Sequence, residues 1–223
     1  STGNDNVALG ANALANNTTA SNNTAVGKSS MLTNTTGTSN VAVGFESLKA
    51  NTTAANNVAV GFQALIATTT GADNIGIGYK ALDANTTGTR NLAIGSAAYG
   101  GSDTENDNIA IGYNAMTTNT AGGTQNLAIG NYALDALTSG DGNVAIGHNS
   151  MTTITEGLRN TAIGLSALET TNGDDNVAVG YNAMGATTTG SDNTAIGRDA
   201  LTANTTGGSN VAVGKDALKG NTT

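Results

Sequence analysis

The stretch Asn40-Val41-Ala42-Val43-Gly44-Phe45-Glu46-Ser47-Leu48-Lys49-Ala50-Asn51-Thr52-Thr53-Ala54-Ala55-Asn56 decides the fold, because Asn57-Val58-Ala59-Val60-Gly61-Phe62 begins it again. The opening Asn recurs at Asn6, Asn23, Asn40, Asn57, Asn74, Asn91, Asn108, Asn126, Asn143, Asn160, Asn176, Asn193 and Asn210. The interval is 17 residues ten times, 18 once (from Asn108) and 16 once (from Asn160). Thirteen copies account for residues 1–223 as a single array, with no leftover linker. Self-similarity at a short fixed period is the signature of a stacked repeat architecture.

Numbered from this Asn as position 1, position 2 is Val, Ile, Leu or Thr, and position 4 is always Leu, Val or Ile. Position 3 is Ala in twelve copies, including Ala42, Ala59 and Ala93, and Gly76 in the thirteenth. Position 5 is Gly throughout, as at Gly44, Gly61 and Gly95. Position 8 is Ala or Ser, position 9 is Leu, Met or once Tyr99, and positions 13 and 14 are usually Thr-Thr. Positions 2 to 4 alternate in the manner of a strand, and β-branched residues suit its pleated surface. Gly at position 5 supplies a turn, and the Asn-Thr-Thr-Gly segment is turn chemistry.

The spacing therefore predicts an all-β protein, a parallel β-roll or β-solenoid of about 13 coils of 17 residues. At about 4.7–4.9 Å per coil this is a rod on the order of 60 Å. Positions 6 to 11, such as Tyr79-Lys80-Ala81-Leu82-Asp83-Ala84, read either as a second short strand or as one helical turn per coil. Stacking turns Asn40, Asn57, Asn74 and Asn91 into a side-chain amide ladder. The small position-3 column is expected to meet a close surface. With aliphatic residues on its other side, the strand is apolar on both faces and asks for cover on both. The simplest cover is another chain, which predicts self-association as a homotrimer or an end-to-end filament; the alternative is a flattened single coil whose own loop covers the second face. On the first reading Ala128→Leu disrupts assembly, and Ile129→Asp buries an unpaired charge.

Composition narrows the function. The 223 residues include no Cys, no Pro, no Trp and one His, with 8 Lys and Arg against 16 Asp and Glu. A net charge of −8 argues against nucleic acid and anionic membranes as partners. No apolar run reaches the roughly 18 residues of a membrane span. Without Cys there is no disulfide framework or thiolate metal site, and no cofactor is expected. Gly27-Lys28-Ser29 ends like a phosphate loop, but Asn22 stands where its first Gly belongs. Gly76-Ile77-Gly78 lacks the third Gly of a dinucleotide fingerprint. His148 has no recurring partner, so no catalytic residue is assigned. Asp5, Asp73, Asp107, Asp175 and Asp192 could bind calcium weakly, although their spacing is not that of a calcium-loaded repeat. Sequons begin at Asn17, Asn34, Asn51, Asn85, Asn204 and Asn221, and read first as by-products of the turn consensus. Position 6 collects Phe45, Phe62, Tyr79, Tyr113 and Tyr181, a candidate adhesive stripe. The Thr-Thr pairs suggest an ice-binding alternative with one exposed column, interrupted by Asp103, Glu156 and Asn172.

Asn-Val-Ala-Val-Gly and Asn-Thr-Ala-Ile-Gly, followed by Ala or Ser at position 8, resemble the head repeats of YadA-like trimeric autotransporter adhesins, and related repeats of tail-fibre-like proteins. The likeness extends over all thirteen copies. It implies a left-handed parallel β-roll of three chains, placed on a cell surface or virion fibre, that binds a host surface, matrix or glycan. The present repeat is longer, because Leu or Met follows position 8 directly and Thr-Thr-Gly extends the coil. The chain starts at Ser1 and neither end shows a distinct cap, which suggests an excerpt of a longer array or a protomer that stacks end to end. The expected function is a non-enzymatic structural fibre or adhesin segment. The alternative is a surface solenoid that binds ice or carbohydrate.

Overall fold

The computed structural model describes residues 2–119 and 122–223; Ser1 lies outside the described residues, as do Thr120 and Ala121. It is all-β, a solenoid with one three-residue strand per turn. The strands are β1 (Val7–Leu9), β2 (Thr24–Val26), β3 (Val41–Val43), β4 (Val58–Val60), β5 (Ile75–Ile77), β6 (Leu92–Ile94), β7 (Ile109–Ile111), β8 (Leu127–Ile129), β9 (Val144–Ile146), β10 (Thr161–Ile163), β11 (Val177–Val179), β12 (Thr194–Ile196) and β13 (Val211–Val213). β1 to β6 are parallel neighbours in chain order, and so are β7 to β13. The chain divides into two compact units, residues 1–108 with β1–β6 and residues 109–223 with β7–β13, and the same repeat builds both.

The register puts like on like: Val41 pairs with Val58, Ala42 with Ala59 and Val43 with Val60. It survives the irregular spacings. Ile109 pairs with Leu127 across the 18-residue interval, and Thr161 with Val177 across the 16-residue one. The extra and missing residues are absorbed outside the strands.

The strand alternation places its faces opposite to the expectation above. Position 3 points into the coil: Ala42, Ala59, Ala93 and Ala128 are all fully buried. Positions 2 and 4 point outward, half-exposed along β8 (Leu127, Ile129) and more than a third exposed at Ile75 and Ile77. The close surface that holds position 3 to Ala is the chain's own interior rather than a neighbour. The coil leaves little room at position 3 beside the large residue that the turn buries. That residue is at position 9, where Met31, Leu48, Leu65, Leu82, Tyr99, Met116 and Leu134 are fully buried.

Positions 6 to 11 form neither a second strand nor a helical turn. Positions 7 and 9 are left-handed without being Gly, as at Glu46 (φ 54°) and Leu48 (φ 50°). The alternation aims successive amides at opposite neighbours: Glu46 N donates to Lys28 O of the previous rung at 3.0 Å, and Leu48 N to Ala64 O of the next at 2.9 Å. A left-handed residue costs about 1–2 kcal/mol. Burying a Leu side chain returns about 1.5–3 kcal/mol, so Leu is retained where backbone geometry alone would select Gly. At position 5 the conformation leaves no choice. Gly61 has φ +139°, and a Cβ there would run into the carbonyl oxygen of Gly78.

Two substitutions separate the two faces. Ala128→Leu overpacks the interior and should lower stability by about 1–3 kcal/mol. Ile129→Asp, on the outer face, should leave the fold of the single chain nearly intact, contrary to the sequence expectation. Thermal melting followed by circular dichroism reads both; equal losses, or a larger loss for Ile129→Asp, would contradict the assignment of faces.

Candidate functional surfaces

The position-1 Asn is the most connected side chain in the solenoid. In Asn57, the Nδ2 donates to Gly71 O of the same rung at 2.9 Å. Its Oδ1 accepts the backbone N–H of Asn74 on the next rung, also at 2.9 Å. Its own N–H donates to Oδ1 of Asn40 on the previous rung at 2.9 Å. Asn40, Asn74 and Asn91 repeat the pattern, donating to Ala54 O, Gly88 O and Glu105 O. One side chain therefore closes its own turn and ties it to the neighbours on both sides. These side chains are buried (Asn40, Asn57 and Asn74 at 0%, Asn91 at 1%), and an amide supplies both the donor and the acceptor required.

A second Asn column at position 12 meets the first. Asn51 Nδ2 donates to Ala54 O at 3.1 Å, the oxygen that also receives Asn40 Nδ2. Asn85 and Asn204 bond Gly88 O and Gly207 O in the same way. A position-15 carbonyl thus accepts two amides. These position-12 residues are the sequon asparagines, and Asn34, Asn51, Asn85 and Asn204 have no exposed surface. The turn-consensus reading of the sequons is the one this burial supports, since a folded chain presents none of those four amides for modification. Leu137 and Ile154 replace the amide in two rungs of the second unit and are fully buried too.

The position-6 column lies on the surface, with Phe45 37% and Tyr79 53% exposed. In the first unit it is a stack: Phe45 and Phe62 have centroids 5.2 Å apart, Phe62 and Tyr79 5.4 Å, both pairs inclined by 12°. The second unit differs. Tyr113 meets Tyr132 edge-on at 86°, and Tyr132 meets His148 at 80°. Tyr132 is at position 7, outside the column read from sequence, yet from its left-handed backbone (φ 60°) its ring meets the stripe. Tyr181 lies against Arg198 at 5.7 Å.

The Thr columns divide their work. Position-13 hydroxyls donate along the stack, as Thr35 Oγ1 does to Thr52 O (2.9 Å) and Thr52 Oγ1 to Thr69 O (3.1 Å). Position 14 leaves one exposed column, Thr19, Thr36, Thr53, Thr70, Thr87 and Thr104, in the first unit. Two of the acidic residues weighed for calcium are held by arginine: Arg90 grips Asp107 through two bonds of 2.6 and 2.8 Å, and Arg159 grips Asp175 through two of 2.7 and 2.6 Å. The guanidinium hydrogen bonds hold both carboxyls below their usual range. Burial pushes the Asp83 carboxyl up, opposed by Lys80. Among the described residues no cavity opens, and no three His, Cys, Asp or Glu gather as a metal cluster would require.

One rung varies the interior. Tyr99 replaces Leu at position 9, and its hydroxyl accepts from Asn108 Nδ2. Glu105 replaces Gly or Ala at position 15, and its Oε2 accepts from Ser102 Oγ (2.9 Å) and from the amides of Asp103 and Thr104 (both 3.1 Å). The departures from consensus at these columns are the sequence signal that could have found this polar plug.

Asn74→Asp removes the donor to Gly88 O and sets a charge among buried carbonyls, so it should destabilise by at least about 1–3 kcal/mol. A thermal midpoint equal to the parent would contradict the double role of the side chain. Arg90→Gln should let the Asp107 carboxyl return to its ordinary titration range, as read by carbon NMR. The sign follows: Asp107, depressed in the folded state, contributes stability above the ordinary carboxylate range and loses it as pH falls through the depressed value. The variant should lose that acid sensitivity. No protein family, curated protein or solved structure matches the chain.

Proposed function

We propose that the chain is a non-enzymatic structural segment of an extracellular fibre or adhesin, on a cell or virion surface, that associates with further copies of itself. One observation carries this reading. The buried asparagine column is spent closing each rung and holding it on the next, while the columns facing outward repeat in register and, among the described residues, converge on no concave site. Such a chain displays side chains at a fixed pitch, which suits a stiff spacer or a repetitive contact surface.

The outer sheet face supports self-association. Positions 2 and 4 are aliphatic or Thr in every copy and never charged, yet Ile75, Ile77, Ile94, Ile163 and Ile196 are each more than a third exposed. A parallel sheet is ordinarily covered on both faces, and a continuous apolar face marks an interface. A second copy brings the same uncharged, regularly spaced columns, so no buried charge is left unpaired. The resemblance to trimeric adhesin heads makes three copies the expected number, with a host surface, matrix or glycan as the outer partner.

Sedimentation velocity over a range of concentrations tests this. The parent chain should sediment as a discrete oligomer, and Val58→Lys with Val60→Lys should yield a folded monomer. A parent chain that is monomeric throughout, or a lysine variant with an unchanged oligomer, would overturn the proposal.

A further inference from the structure

In the first unit, position 6 carries Lys28, Phe45, Phe62 and Tyr79 on four consecutive rungs, and then Ser96. The three rings form one flat stack, with centroids 5.2 and 5.4 Å apart. The ammonium of Lys28 lies over the Phe45 ring at 5.9 Å, and that of Lys80 over the Tyr79 ring at 5.9 Å. We infer that this ladder is a binding site for an elongated, flat, conjugated aromatic molecule with an anionic group at each end. The ligand lies along the stack, its face on the three ring edges and its ends at Lys28 and Lys80.

The ring geometry selects the body of the ligand. In a parallel stack the ring faces are turned to one another and the edges point outward. An aromatic edge is electropositive and an aromatic face electronegative, so a π-system laid across the edges makes three edge-to-face contacts together. Tyr113, Tyr132 and His148 in the second unit cross at 86° and 80° and present no flat row.

The cations select the ends. The rungs of Lys28 and Lys80 are three strand spacings apart, about 14 Å, the length of a few fused or linked rings. The chain has a net charge of −8 and repels anions on average, yet Lys28, Lys49 and Lys80, three of its eight cationic residues, cluster at this ladder. The two nearby carboxylates, Glu46 and Asp83, offset the three lysines only in part. Glu46 is engaged by Lys49 at 2.7 Å and Gln63 at 2.9 Å, and Asp83 approaches Lys80 only to 3.9 Å. Among the described residues no ion pair engages Lys28. Because the rings are already ordered by stacking, binding immobilises little that was free.

The probe is Congo red, a linear aromatic dye with two sulfonates, titrated into the full chain and followed by induced circular dichroism in its visible band. Saturable binding with an induced signal is expected. Phe62→Ala, which removes the middle edge, should weaken it about tenfold. Lys28→Gln with Lys80→Gln, on an exposed and a half-buried side chain outside the ring stack, should weaken it at least as much and flatten its dependence on salt. Tyr113→Ala should change nothing. Absence of an induced signal, undiminished binding to the lysine variant with its melting curve intact, or equal affinity for an uncharged aromatic of the same length would each overturn the assignment.

Discussion

A carboxamide at the first position of each repeat is the constraint from which the rest follows. Backbone hydrogen bonds tie rung to rung along the strand and the turns alike. The asparagine adds the side-chain bonds that close the turn, donating across its own rung to the position-15 carbonyl and accepting the amide of the next rung. No other side chain of that length offers both a donor and an acceptor in this geometry: Asp lacks the donor, and Ser cannot reach both partners. The period, the interior and the outward columns are set once this bond pattern fixes how one turn sits on another.

The narrowness of the closed turn then sorts the hydrophobic residues by size rather than by apolarity. Ala goes inside at position 3, a Leu, Met or Tyr at position 9 fills much of the remaining space, and two rungs add Leu137 and Ile154 at position 12. The larger Val, Ile and Leu of the strand are left outside. A globular core uses the opposite arrangement, and the inversion gives a chain of modest hydrophobicity an extended apolar face. Left-handed residues at positions 7 and 9 are the cost of so tight a curve, offset by the side chain that position 9 buries.

This explains what could be read from residues alone. The repeat length, the strand at positions 2 to 4, the glycine turn, the parallel stacking and the exposure of the position-6 column were all legible, because identical residues at a fixed interval admit one stacking. Which face of the strand turns inward was not. A period of two separates Ala128 from Ile129 without saying which is inside, and the habit of placing the larger residue in the core misleads when the closed turn is this narrow. The backbone of positions 6 to 11 was hidden because Leu48 and Glu46 adopt a conformation their intrinsic preferences disfavour, imposed by hydrogen bonds to rungs seventeen residues away in each direction. The position-12 asparagines looked like turn residues and glycan acceptors, since nothing local reveals that Asn51 shares a carbonyl with Asn40.

The claim on which all of this stands is that seventeen residues advance the chain by one strand spacing. The chain has no cysteine, so spin-label pairs can be placed without interference. Thr19→Cys paired with Thr87→Cys, and Thr19→Cys paired with Thr104→Cys, lie four and five rungs apart on the exposed column of the first unit. Electron-spin distance measurements should give backbone separations near ~19 Å and ~24 Å, rising by one strand spacing for the added rung. Separations that fail to rise with the number of rungs, or that spread broadly, would contradict the in-register solenoid.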